Sequence, residues 1–382
     1  MKPLREVTVF CGGDINKINT WSGVPYFFCN ALKEKGIKIN YISIAIERKL
    51  EWIYNKITGP IIIKLLRNIR ADYSTSLLRY LIIKKKIKNG VLRYPCSDCL
   101  LFFSFCYSGA GVTKIPSVMI SDWTLDYFMK FNLKREPLLF ERRALRRDDR
   151  QIEMTEAVFS LFPKISEYLR QKYINKNIYY LGNGVNSLVV PSIDNLEMIS
   201  VKKKSCKLLF IGEKKYLKGL QTLISAFRIL KSDFPKLSIH VIGMNEKDIN
   251  SINDDNIFFY GYLSKDIKAE NEIYYNLLRE ATVYVNTTPL WSSFQAPIEV
   301  MYFYTPIIIS PNIEFNKTFG DDIEKCCTFC TENDPTLLSK HIKEILTSDK
   351  YANLSETSHS TVKNFTWDAV TDNFLNTISE VI

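Results

Sequence analysis

Nowhere in the 382 residues is there a run of about 18 uncharged apolar residues, so no membrane-crossing helix is expected. The opening segment, MKPLREVTVFCGG, holds no apolar stretch of signal-peptide length, and export is not expected. Glycine (15) and proline (14) are scarce, which excludes collagen-like chains and long disordered linkers. Histidine is scarcer: there are three, His240, His341 and His359, all in the second half. No internal repeat or low-complexity tract is present. The nine cysteines are odd in number and scattered. Without an export signal they read as reduced thiols of a cytosolic protein. Cys96 and Cys99, and Cys327 and Cys330, have C-x-x-C spacing. The pairs lie far apart and neither sits in a Gly-rich knuckle, so ordinary packing is expected and a metal site is not.

What is present is ordinary globular material: 46% hydrophobic and 24% charged residues, enough for two or three domains. The formal charge is +10, a surplus that suits an anionic partner. Short apolar runs ending in glycine alternate with amphipathic stretches. Val7 to Cys11 predicts a strand ending at Gly12-Gly13, Val24 to Lys35 a helix, and Lys38 to Ile44 a second strand. Further strands are predicted at Val118 to Ser121 and Ala157 to Leu161. The rhythm restarts with strands at Lys207 to Ile211, Leu237 to Ile242, Ile257 to Tyr260, Thr282 to Asn286 and Pro306 to Ile309. Helices are predicted at Leu220 to Lys231, Ala296 to Tyr304, Pro335 to Thr347 and Thr366 to Ile382. The pattern is α/β, with two successive parallel-sheet domains and a boundary near Gly182 to Ser205. Such sheets bind ligands at the carboxyl ends of their strands, and two in tandem create a cleft.

Two strand-to-helix junctions carry chemistry. In Ile211-Gly212-Glu213-Lys214-Lys215-Tyr216-Leu217-Lys218-Gly219, Gly212 permits a tight turn and Gly219 lies where a helix opens. Helix starts favour anions, and Lys218 adds a cation, so the segment reads as a phosphate cradle or a solvated lysine-rich turn. In Ser292-Ser293-Phe294-Gln295-Ala296-Pro297-Ile298-Glu299, small residues permit close approach by a ligand. Glu299 falls one turn inside an apolar helix and needs partners there. A ribose diol or a neighbouring Lys or Arg would serve.

Together these segments resemble the donor-binding half of the GT-B glycosyltransferases, most closely the retaining enzymes of family 4, the glycosyl transferases group 1. Gly212, Lys218 and Gly219 match that family's G-R-x-x-x-x-K-G stretch. Phe294 and Glu299 match its later E-G-F-G-x-x-x-x-E-A segment. Phe259-Tyr260-Gly261-Tyr262 resembles the loop near the nucleotide base. Thr20-Trp21-Ser22-Gly23 resembles the first-domain loop that faces donor phosphates and acceptor, and Asp122 falls at an acceptor-side position. Asn183-Gly184-Val185-Asn186 is similar to the motif closing the first domain, and Phe365-Thr366-Trp367 to the start of the terminal helix.

The resemblance implies two Rossmann-like domains facing a central cleft, residues 1–186 and 187–365, with a helix at 366–382 crossing back to the first. It implies donor binding by Gly23, Gly212, Lys218, Gly219, Tyr262, Ser292, Phe294, Gln295, Ala296 and Glu299. Trp21, Ser22 and Asp122 would lie on the acceptor side, with Lys218 and Asp122 in catalytic roles. The implied reaction moves a sugar from a nucleotide-sugar co-substrate to a glycan or lipid-linked acceptor, with retention and without metal or other cofactor. The Ile-, Lys- and Asn-rich composition suggests a bacterial source, for which the resemblance implies a surface polysaccharide, lipopolysaccharide or capsule. A GT-B nucleotide-sugar epimerase and a non-catalytic glycan- or partner-binding relative are the alternatives. Three departures stand out: Glu213 replaces the family's Arg, Ser292 replaces its first Glu, and the first domain lacks histidine.

From Ile53 to Arg93 there are ten Lys or Arg and one acid, Asp72, interleaved with apolar residues. A cluster stands at Lys84, Lys85, Lys86 and Lys88, and a second basic run, tempered by acids, at Arg142, Arg143, Arg146 and Arg147. The pattern predicts a basic amphipathic face on an anionic membrane. No nucleic-acid-binding module is recognised. The expected location is cytoplasmic, peripheral on the inner face of the cytoplasmic membrane.

Overall fold

The computed structural model describes residues 4–65, 72–191, 195–249, 254–288, 294–331 and 333–382. The chain divides into two compact units, Met1–Gly184 with Trp367–Ile382, and Val185–Thr366.

The first unit is built on six parallel strands: β1 (Glu6–Cys11), β2 (Lys38–Ser43), β3 (Cys99–Phe102), β4 (Ser117–Ser121), β5 (Ala157–Ser160) and β6 (Ile178–Tyr180). Their order is β2-β1-β3-β4-β5-β6. β3 and β4 are buried along their whole length, as expected of strands covered on both faces. The chain order reverses beside β1, which places a switch point at the carboxyl ends of β1 and β3. The terminal helix, Trp367–Val381, packs against the helix Val24–Glu34. The Phe28 ring meets Phe374 at 5.1 Å and Trp367 at 6.3 Å, both edge-on. Lys35 pairs with Asp368 at 2.5 Å and Asp372 at 2.7 Å. A β-carbon on Gly184 would lie 2.7 Å from the Trp367 ring, so this contact requires glycine.

The second unit repeats the plan with β7 (Lys207–Ile211), β8 (Ser238–Ile242), β9 (Ile257–Phe259), β10 (Val283–Asn286), β11 (Ile307–Ile309) and β12 (Cys327–Phe329). The order is β12-β11-β10-β7-β8-β9, all parallel, with the switch point between β7 and β10. Leu208, Phe210, Leu220, Leu223, Phe227, Ile239, Val241 and Val283 form the centre of its core.

Strands β3, β6 and β12 and the helix Asn195–Ser205 are absent from the sequence expectation. Cys99 opens β3 and Cys327 opens β12, so one cysteine of each C-x-x-C pair is a sheet residue. Cys330 is buried in the core, and Cys96 is exposed. Among the described residues no group of three or more His, Cys, Asp or Glu could hold a metal ion. Among them, too, no helix is long and apolar enough to cross a membrane.

Lys202, in the helix Asn195–Ser205, is fully buried. Its ammonium donates to the carbonyls of Leu278 (2.5 Å) and Ala281 (3.2 Å) and to the Thr305 hydroxyl (2.8 Å). The carbonyls sit at the end of the helix Lys268–Glu280, where a cation complements the helix dipole. Burial pushes the Lys202 amine well below its ordinary value. Lys202→Met should cost about 1–3 kcal/mol, because it leaves buried carbonyls without donors. Urea unfolding measures this, and unchanged stability would show that the three bonds contribute nothing.

Candidate active site

At the switch point of the second sheet the backbone is packed tightly. A β-carbon on Gly219 would lie 2.3 Å from the Thr288 hydroxyl and 2.9 Å from its amide nitrogen. The first turn of the helix Leu217–Leu230 therefore rests directly on the chain leaving β10. Thr288 is held by its own bonds, N–H to Asn286 Oδ1 at 3.2 Å and hydroxyl to the Tyr216 carbonyl at 3.2 Å. Gly212 donates to the Ile242 carbonyl at 2.9 Å, and Gly243 donates to the Gly261 carbonyl at 2.7 Å. Gly243 adopts φ +97°, and a β-carbon there would meet the Gly212 carbonyl oxygen at 2.6 Å. Glycines thus line the carboxyl edge of β7, β8 and β9 in one continuous floor.

Cations lie along the segment between Gly212 and Gly219. Lys218 is exposed, and among the described residues its ammonium has neither hydrogen bond nor ion pair. Lys214 lies 3.7 Å from Asp248, and Lys215 lies 3.8 Å from Glu213. Glu213, at the family's Arg position, is exposed. Tyr262, beside Gly261, is 64% exposed.

The second segment opens the helix Gln295–Tyr302, with Gln295 and Ala296 half-buried in its first turn. Phe294 is buried, its ring edge-on to Phe315 at 5.5 Å and Phe319 at 6.0 Å. Ser292 and Ser293 lie outside the described residues. Glu299 is buried, and the lysine partner considered from the sequence is present. Lys265 forms an ion pair with Oε1, and the Tyr274 hydroxyl donates to Oε2 at 2.9 Å. Burial pushes the Glu299 carboxyl up, and Lys265 and Tyr274 oppose the rise. Sequence reasoning missed Lys265 and Tyr274. The helical spacing marks Tyr274 only as a core residue, and nothing local distinguishes Lys265.

In the first unit the structure brings together Trp21 and Asp122, from loops after β1 and β4. The Asp122 carboxylate accepts from the Trp123 amide at 2.9 Å and from the Ser121 hydroxyl at 3.3 Å, and the Trp21 side chain beside it favours its charged form. Burial pushes the Asp122 carboxyl up, and these donors oppose the rise. Trp21 meets the Phe103 ring edge-on at 5.9 Å, just beyond the end of β3. Trp21 (φ 44°), Ser22 (φ 54°) and Gly23 (φ 91°) lie consecutively in the left-handed region. For two non-glycine residues that conformation costs about 1–3 kcal/mol each, and it places the indole on Asp122.

Two six-stranded parallel sheets, each with a switch point at the carboxyl ends of its strands, give a GT-B-like fold. Sucrose-phosphate synthase (tll1590) from Thermosynechococcus elongatus superposes with TM-score 0.67 and 14% identity, covering 98% of both chains. A glycosyltransferase from Rickettsia africae ESF-5 gives 0.62 and 14%, covering 100% of this chain and 99% of its own. Anabaena Alr3699/HepE in complex with UDP gives 0.61 and 12%, covering 99% and 100%. No curated protein matches the chain significantly in sequence. Residues 194–361 match the family model of glycosyl transferases group 1. The second unit carries a domain of that family, and the chain is a glycosyltransferase.

The contact of Trp21 with Asp122 has a spectroscopic signature. Trp21→Phe removes a donor that opposes the effect of burial, so the Asp122 carboxyl should titrate at higher pH than in the wild type. Carbon-detected NMR titration reads this directly, and an unchanged midpoint would mean the indole does not bond the carboxylate in solution.

Proposed function

We propose that this glycosyltransferase moves a hexosyl group, with retention, onto a glycan or lipid-linked acceptor of a bacterial surface polysaccharide. The observation that carries the donor assignment is Lys218. It is an exposed cation on the first turn of a helix seated beside the glycine-lined strand ends, and among the described residues it has no ion pair. A diphosphate there meets a fixed helix dipole and a cation with no competing anion. The UDP bound by the Anabaena neighbour supports a uridine nucleotide as donor.

In this reading the departing diphosphate takes the acceptor proton, and the protein supplies positioning and charge stabilisation. Lys218 neutralises the leaving group, Gly212 and Gly219 let its oxygens approach the backbone, and Tyr262 lies beside the base. Glu299 receives the ribose, and Gln295 and Ala296 flank the sugar. Gly23 serves the donor phosphates, and Trp21, Ser22 and Asp122 serve the acceptor side. Lys218→Ala should lose about 2–4 kcal/mol of transition-state stabilisation, read as a fall in kcat/KM. Near wild-type kcat/KM in the folded variant would remove Lys218 from the reaction.

A cytosolic membrane face would supply a lipid-linked acceptor, and the first unit carries a surface suited to it. Trp52 (61% exposed), Ile57 (52%) and Ile61 (54%) stand out, as do Leu77, Leu78 and Leu81 on the helix Leu77–Arg93. Lys84, Lys85 and Lys88 are exposed on that same helix. Lys86 differs from its neighbours: it turns inward to an ion pair with Glu47. Each outward lysine is worth about 1 kcal/mol near an anionic leaflet, screened over a Debye length of about 8 Å. Binding to anionic vesicles should fall with salt, and replacing Lys84, Lys85 and Lys88 with Gln should weaken it while nucleotide affinity stays unchanged. Equal sedimentation of wild type and variant with anionic vesicles at low salt would reject this surface.

A further inference from the structure

We propose that Lys265, together with Tyr274, is a positioning residue that fixes the buried Glu299 carboxylate as a two-oxygen acceptor for the donor ribose. The proposal rests on the reading of Glu299 as the ribose partner and adds the device that makes that role possible at this depth.

Glu299 lies between Ile298 and Val300, both wholly buried, and its own side chain is 4% exposed. A carboxylate alone in such surroundings takes up a proton. The protonated acid presents one donor and loses part of its accepting capacity. A ribose diol needs two accepting oxygens, which only the charged form offers symmetrically. The chain supplies the compensation from one neighbouring segment. Lys265 precedes the helix Lys268–Glu280, and Tyr274 lies within it. One engages Oε1 and the other Oε2. Each oxygen has a further lone pair beyond the bond it accepts here.

Lys265 is itself well compensated. Its side chain is 14% exposed, and its ammonium also donates to the Asn186 carbonyl at 2.7 Å. It stands 4.6 Å from the Tyr274 ring centroid and 5.7 Å from that of Tyr275. Two aromatic faces, a carboxylate and a carbonyl thus replace its water. The Tyr275 hydroxyl accepts the Leu188 amide at 2.8 Å, so the same helix also anchors residues 186–188. The lysine is held from several sides, which gives the carboxylate one orientation rather than a choice of rotamers.

The test is UDP binding by calorimetry on the full chain between pH 6 and 8, with donor kinetics alongside. Measured relative to the titration of UDP's own terminal phosphate, wild-type affinity should be flat across that range. Lys265→Met should weaken UDP binding about tenfold, the scale of one lost charge-assisted hydrogen bond. The loss should deepen toward pH 6 and raise donor KM more than it lowers kcat. Lys265→Arg should restore the flat profile, and Tyr274→Phe, which keeps the charge, should show the same trend more weakly and serves if Lys265→Met does not fold. Added to Glu299→Gln, Lys265→Met should cost no further affinity. A flat profile and wild-type affinity in Lys265→Met would overturn the proposal, as would an undiminished loss in the Glu299→Gln background. Wild-type UDP affinity in Glu299→Gln alone would instead overturn the ribose reading on which it rests.

Discussion

Gly219 and Thr288 touch where neither could yield: a β-carbon on the glycine would fall 2.3 Å from the threonine hydroxyl. The donor half depends on that contact. It seats the helix Leu217–Leu230 against the end of β10, the strand on the far side of the switch point from β8. With the helix seated there, its first turn is presented at the carboxyl edge and Lys218 projects from it into solvent. The glycines at 212 and 243 continue the same constraint across β7 and β8. A side chain at either would press on neighbouring atoms, the Gly212 carbonyl in the case of 243. The absence of β-carbons lets these strand ends and the helix start pack directly on one another.

The charged residues divide sharply by how they are compensated. Lys202 spends its ammonium on two carbonyls and a hydroxyl, and Lys265 on a carboxylate and a carbonyl. Arg135 clasps the buried Glu141 with two bonds of 2.8 Å. Such groups are committed to the fold, because removing either partner leaves a buried charge or acceptor stranded. Lys218 and the outward lysines at 84, 85 and 88 have no such commitment. A desolvated, paired cation is an architectural part, whereas an exposed unpaired one keeps its field available to an incoming anion. By that criterion the +10 surplus is divided between structure and recognition, and only its exposed portion bears on partners.

Much of this architecture was legible in the sequence, for identifiable reasons. Strands buried on both faces give apolar runs that end at glycine, and Lys207–Ile211 shows the pattern without ambiguity. β6 and β12 are three residues long, too short to display any period. β3 is the four-residue run Cys-Leu-Leu-Phe, whose first residue also completes a C-x-x-C spacing that drew a different reading. The helix Asn195–Ser205 was hidden because Lys202 lies in a run of three lysines, which looks solvated, yet it is the buried one. Site residues followed the same logic. Gly212, Lys218 and Gly219 are adjacent in sequence and readable together. Trp21 meets Asp122, and Lys265 meets Glu299, only through the fold, and no local pattern announces either meeting.

The departures from the family pattern acquire physical content from these placements. Glu213 does not enter the glycine floor. It is exposed, with Lys215 3.8 Å away. Its negative charge is therefore screened by water as well as by the lysine. Lys214 is tied just as loosely to Asp248, at 3.7 Å. Exposed pairs of this length are worth about 0–1 kcal/mol, less than a phosphate offers a cation at a helix start. Both lysines can therefore exchange their present partners for a diphosphate without dismantling anything. The family pattern has an arginine at 213; in the proposed donor reading its work falls to mobile point charges one and two residues later. Such a site gives up geometric selectivity toward phosphate oxygens while retaining net attraction. The discrimination it needs must then come from contacts that are rigid, and in the donor half these are the glycine floor and the Glu299–Lys265–Tyr274 group.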